Sequence, residues 1–139
     1  MIVLDTNVIS ELMKLEPEIK VYKWVNKHPS HLLFTTAITA AELRSGFEQM
    51  PEGKKRTELG VKIDLMLEHG FQGRVLPFDV SCALHFARIF ALRRAMGRRI
   101  EEPDAMIAAT CSRHRFKVAT RDAGGFSDCG IEVFNPWTD

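Results

Sequence analysis

Five short β-prone runs punctuate this chain: "IVL" at 2–4, "HLLFTT" at 31–36, "RVLPFD" at 74–79, "FKVAT" at 116–120 and "IEVF" at 131–134. The stretches between them carry helical spacing, and strands that alternate with helices imply a parallel sheet covered on both faces. The expected fold class is therefore α/β, with a central parallel sheet of about five strands flanked by helices on both faces. At 139 residues the chain has the size of one domain, 1–139, and can bury a core without disulfides or metals to staple it.

The helical segments are individually readable. "TNVISELMK" continues from the first strand, with Val8, Leu12 and Leu15 on one side, and a second short helix over 19–28 carries Trp24 and stops at Pro29. A helix over 37–49 is broken by "PEGKK" at 51–55 and followed by another over 56–69, with Leu59, Ile63, Met66 and Leu67, so the two read as an antiparallel hairpin. Asp79 suits the N-cap of a long helix over 80–96, with a core stripe of Val80, Ala83, Ala87, Phe90 and Ala91 and a stop at Gly97. Pro103 suits the start of the next helix and puts Asp104 in its first turn. Asp104, Ile107, Ala108 and Cys111 fall at i, i+3, i+4 and i+7, so this aspartate points where the apolar stripe points.

Composition excludes several classes. Hydrophobic residues make up 45% and charged residues 27%, an ordinary balance for a globular protein, and no apolar run reaches the length of a membrane span. "MIVLDTN" lacks the basic start of a signal peptide and reads as a buried strand, so the expected location is cytoplasmic. Cys82, Cys111 and Cys129 are odd in number and widely spaced, which points to free thiols, the first two in the core and Cys129 more exposed. "HPSH" at 28–31 lacks nearby partners for a zinc site. Net charge is +1, but basic residues cluster in "RRAMGRR" (Arg93, Arg94, Arg98, Arg99) and "SRHRFKVATR" (Arg113, Arg115, Lys117, Arg121), near two acids.

Those acids belong to a set of four. Asp5 ends the first strand, Glu42 sits in "ITAAELRSG", Asp104 in "EEPDAMIAAT" and Asp122 in "VATRDAGGF". In an open parallel sheet, ligands bind beyond the carboxyl ends of the strands, and all four acids lie near such ends. Gathered carboxylates repel one another unless a hard cation sits between them, and an all-oxygen donor set favours Mg²⁺ or Mn²⁺ over zinc. Each acid also has an ordinary alternative: Asp5 as an N-cap, Glu42 as an exposed helix residue, Asp104 at a helix's positive end, Asp122 in a turn before Gly124 and Gly125.

With these residues in view, "IVLDTNVISEL", "ITAAELRSG", "DAMIAAT", "VATRD" and "VFNPW" resemble, in order and end to end, the blocks of a PIN domain of the VapC/FitB type. The resemblance implies the toxin half of a type II toxin–antitoxin pair, a Mg²⁺- or Mn²⁺-dependent endoribonuclease with Asp5, Glu42, Asp104 and Asp122 as its catalytic and metal-binding acids. Thr6, Asn7 and Thr120 would support them by hydrogen bonds, and Arg44 and Arg121 are candidates for phosphate contact. It also implies RNA as substrate, a homodimer, a ribbon-helix-helix antitoxin as partner and operator DNA bound only through that complex. Glu101 and Glu102 depart from the family pattern by adding negative charge just before Asp104.

Two other functions compete. A haloacid-dehalogenase-like phosphohydrolase also begins with an aspartate after its first strand, but wants a second acid at the place of Asn7. An antitoxin- or partner-binding module would use the acids structurally and show little turnover.

Overall fold

The computed structural model describes residues 1–139. Its sheet is built from β1 (Ile2–Leu4), β2 (Leu33–Thr36), β3 (Val75–Leu76), β4 (Lys117–Ala119) and β5 (Val133–Phe134), in the order β3-β2-β1-β4-β5, with every pairing parallel. The chain walks outward from β1 through β2 to β3, then returns to the far side of β1 with β4 and β5. The point where that direction reverses, between β1 and β4, is where an open α/β sheet leaves a crevice at its carboxyl edge.

Strand alternation sends side chains to two separate cores. On β1, Val3 faces one way and pairs in register with Val118, which shares its face, while Ile2, Leu4 and Ala119 face the other. The first core is closed by α5 (Val80–Ala95), α6 (Glu102–His114) and the short α7 (Ala123–Phe126), through Ile89, Ile107, Ala108 and Phe126. The second lies under α1 (Thr6–Leu12), α2 (Ile19–Asn26), α3 (Ala37–Glu48) and α4 (Lys54–Leu65), through Val8, Ile9, Trp24, Leu43 and Ile63. Burying each of these larger side chains contributes about 1.5–3 kcal/mol before entropy is counted. Helices therefore cover both faces, as the alternating pattern requires.

The helix starts follow the sequence. Asp5 caps α1 by accepting from the Thr6 N–H, Thr36 caps α3 through the Thr39 N–H, and Asp79 caps α5 through the Ser81 N–H. Helix α3 packs closely on α4, where a Cβ added to Gly60 would lie 2.9 Å from the Phe47 ring. That approach makes the hairpin.

Four expectations need correction. Helix α1 ends at Leu12, so Leu15 falls in the following turn and is 94% exposed. The third strand keeps only Val75 and Leu76 of the six residues expected, because only those continue the ladder with Thr35 and Thr36. Cys129 is buried, like Cys82 and Cys111. The largest difference is the face of α5: Cys82, Ile89 and Arg93 point inward, whereas Val80, Ala83, Ala87 and Ala91 face solvent. This helix is apolar nearly all round, so packing against α6 and the sheet selected the face.

Candidate active site

At the switch point between β1 and β4, a cleft of about 440 Å³ is lined by Asp5, Glu42 and Asp104 together with Asn7, Glu11, Lys14, Arg121 and Trp137 among others. Three acids from β1's end, α3 and α6 thus share one opening. Their support differs residue by residue.

Asp5 is the most firmly held. Its Oδ1 accepts the Thr6 N–H at 2.7 Å, and its Oδ2 accepts from the Thr120 hydroxyl at 2.7 Å and the Asn7 amide at 3.0 Å. The residue is 4% exposed. Burial pushes its carboxyl above the ordinary range, the bonds from Thr120 and Thr6 pull it partly back, and the charges of Glu42 and Asp122 raise it again. Glu42 receives the Thr6 hydroxyl at 2.7 Å, and Thr39 stands 3.3 Å from the Thr6 hydroxyl behind it. Thr6, Asn7 and Thr120 therefore sit behind the acids as hydrogen-bond donors. The Asn7 side-chain oxygen, Oδ1, also accepts the Arg121 backbone N–H at 3.0 Å, tying α1 to the chain leaving β4.

Asp104 has a different environment. It lies half-buried in the first turn of α6, without the donors that hold Asp5. Burial, followed by the charges of Asp5, Glu42, Asp122 and Glu101, raises its carboxyl to about 6. Glu101 thus acts on the site electrostatically; both it and Glu102 are exposed.

Asp122 departs from the expected set. It is exposed, does not line the cleft, and caps α7 by accepting the Gly125 N–H at 3.0 Å. A Cβ on Gly125 would stand 2.6 Å from its Oδ2, so the cap depends on that glycine. Its negative charge nevertheless bears on both Asp5 and Asp104. Four acids are near one another, and three face the same opening.

The donor chemistry suits a hard divalent cation. None of the chain's ion pairs involves Asp5, Glu42, Asp104 or Asp122, so no lysine or arginine is bound directly to these carboxylates. No three of the chain's acidic, histidine or cysteine side chains form a ready coordination shell. That is compatible with Mg²⁺, which keeps several waters and takes one or two carboxylates.

The two arginines part company. Arg121 lines the cleft and lies over the Trp137 ring, 5.2 Å from its centroid. Arg44 does not line it; its guanidinium pairs with Asp64 on α4 at 2.8 Å. Residues that sequence reasoning missed are Glu11, Lys14 and Trp137. Glu11 accepts from Lys14 and from the Glu18 N–H, bonds that hold its carboxyl below the ordinary range. The signal for Glu11 was present: it lies four residues after Asn7, on the same face of α1. Trp137, beyond the last strand, lay within the "VFNPW" block, but nothing local placed its ring at the cleft.

This geometry meets the comparisons with known proteins. The PIN domain family model matches residues 2–131. The chain belongs to the PIN-domain family. It is 44% identical to the VapC ribonuclease Y4jK of Sinorhizobium fredii over 137 residues, covering 99% of this chain and 98% of that protein. It is 40% identical to toxin FitB of Neisseria gonorrhoeae over 139 residues and the full length of both. The solved structure of FitAB bound to an IR36 DNA fragment superposes with a TM-score of 0.92 at 39% identity, covering 99% of this chain and 96% of the other. The fold expected from the PIN resemblance is thus the observed one. In this chain Asn7 stands where a phosphohydrolase would want its second acid, and it donates to Asp5 instead.

Proposed function

We propose that this single PIN domain, residues 1–139, is a metal-dependent endoribonuclease that hydrolyses RNA phosphodiester bonds as the toxin of a type II toxin–antitoxin pair. The observation that carries this is the meeting of Asp5, Glu42 and Asp104 in one cleft at the sheet's switch point, none of them in an ion pair. Asp5, Glu42 and Asp104 would hold Mg²⁺ or Mn²⁺, with Asp122 contributing its charge from the lip. When bound, such an ion supplies Lewis-acid neutralisation of a phosphate and a more acidic water.

The chain's own residues do the rest. Thr6, Asn7 and Thr120 fix the orientation of Asp5 and Glu42, so those carboxylates meet substrate without rearranging. Arg121, on the cleft wall and in no ion pair, offers donors to the phosphate oxygens of an approaching strand. Arg44, engaged by Asp64, has no part in this reading.

Partners follow from the same reading. The DNA-bound FitAB structure and the VapBC toxin–antitoxin neighbours support an antitoxin partner that brings DNA to the complex; by the PIN resemblance that antitoxin would be of the ribbon-helix-helix type and the DNA its operator. The apolar residues that α5 leaves in solvent, among them Val80 and Leu84, support a homodimer. No helix is long and apolar enough to cross a membrane, which fits a cytoplasmic protein.

The test is cleavage of structured and single-stranded RNA by purified protein, free of antitoxin, with Mn²⁺, Mg²⁺ or EDTA. Asp104→Asn should lose more than about a thousandfold of the metal-stimulated rate, since a metal ion supplies several kcal/mol of transition-state stabilisation. Cleavage that persists in EDTA or in the variant would sink the mechanism.

A further inference from the structure

Arg93 is the one charged side chain of α5 that points into the core, 4% exposed, and it takes part in no ion pair. A buried guanidinium without a carboxylate is costly unless its donors are all used. Here they are used on two segments of backbone. Nε donates to the Arg98 carbonyl at 3.1 Å and Nη2 to the Arg99 carbonyl at 3.0 Å. Nη1 donates to the Ser127 carbonyl at 2.6 Å, the Ser127 hydroxyl at 3.1 Å and the Gly124 carbonyl at 3.4 Å.

Those two segments carry the acids that the sheet does not fix. Residues 98 and 99 lead into α6, where Asp104 sits in the first turn. Residues 124 to 127 follow Asp122. The peptide group joining Gly124 to Gly125 links the two directly: its oxygen accepts from Arg93, while its N–H donates to the Asp122 carboxylate at 3.0 Å. Hydrogen bonds that share a peptide in this way polarise and orient one another. Arg98 adds a tie between the same two segments by pairing with Asp128 at 2.5 Å.

We infer that Arg93 is a positioning residue: by bonding both segments at once it sets the placement of Asp104 relative to Asp122, and so the affinity of the cleft for a divalent cation. The inference rests on the metal-dependent reading above. Only a planar fork spans both sides, and a lysine's three donors on one nitrogen do not.

The experiment is calorimetric titration of Mn²⁺ into the full-length protein and its Arg93→Lys and Arg93→Met variants. Ile63→Val, in the core on the opposite face of the sheet, is the control for lost stability. Both Arg93 variants should bind Mn²⁺ about 10–100-fold more weakly, the range typical of residues that orient metal ligands. Ile63→Val should bind like the parent. In Arg93→Lys, amide hydrogen exchange should accelerate at residues 98–101 and 124–127. If Arg93→Met does not fold, Arg93→Lys decides by the same two measurements. Parent-like Mn²⁺ affinity in the Arg93 variants, or equal weakening in Ile63→Val, overturns the inference alone. A parent protein that binds no Mn²⁺ overturns the metal reading and this inference with it.

Discussion

The two sides of the cleft are held by different means. On the β1 side, Asp5 extends from the central strand of the sheet and takes three hydrogen bonds, and Glu42 is fixed by the Thr6 hydroxyl. On the α6 side, Asp104 stands in a helix's first turn and Asp122 in a glycine-bearing turn, both reached through loops. The sheet ladder and a short hydroxyl network make the first side rigid by construction. The second depends on contacts between loops, and Asp104 feels its neighbours' charge without the donors that hold Asp5.

That contrast can be broken first on the rigid side. Thr120→Val removes the shortest side-chain bond to Asp5 and leaves its buried Oδ2 with the Asn7 amide as its one donor. The expected cost is about 1–3 kcal/mol of stability in chemical denaturation, with cleavage lowered about 10–100-fold. A variant as stable and active as the parent would mean that the hydroxyl network is incidental.

On the other side, Gly125→Ala places a methyl 2.6 Å from the Asp122 carboxylate and forces it out of its capping position. Loss of the cap should cost about 1 kcal/mol, read as a lowered Tm. RNA cleavage by this variant then reports whether Asp122 must hold that orientation. Full activity would confine the working acids of the expected four to Asp5, Glu42 and Asp104.

The smallest effect is a pH slope. Asp104 keeps its proton up to about 6 in the folded protein, against 3.8 for an ordinary aspartate, so between those values the folded state binds more protons than the unfolded. Stability of the metal-free protein should therefore be highest below that window, fall as pH rises through it, and level off above about 6. For a half-exposed carboxylate screened by solvent the drop is on the order of 1 kcal/mol. Asp104→Asn should reduce the slope, leaving the contribution of Asp5, whose shift has the same sign. An unchanged slope would place its origin on the rigid side.

Much of this was legible in the sequence, for identifiable reasons. Asp5 was readable because it interrupts an apolar strand, and Asp104 because it shares a helical face with Ile107, Ala108 and Cys111, all fully buried. The helix caps were readable from local chemistry alone. What escaped depends on packing between distant segments. Nothing local in α5 distinguishes the side bearing Arg93 from the side bearing Ala87, since apolar residues occur around its whole circumference. Arg44 turned toward Asp64 because α4 lies beside α3, and Asp122 turned toward Gly125 because its own turn offered a closer donor than the cleft.

The bond from Thr120 to Asp5 joins residues 115 positions apart, and β1 receives one of its two neighbours only when β4 is made. On a ribosome, the first strand and its aspartate emerge early and remain half-paired while most of the protein is still to be synthesised. Asp104 and the donor from Thr120 reach the cleft only near the end of translation. A nascent or prematurely terminated chain therefore carries the first acids without the last, so the cleft gathers its full set of carboxylates only once the chain is almost complete.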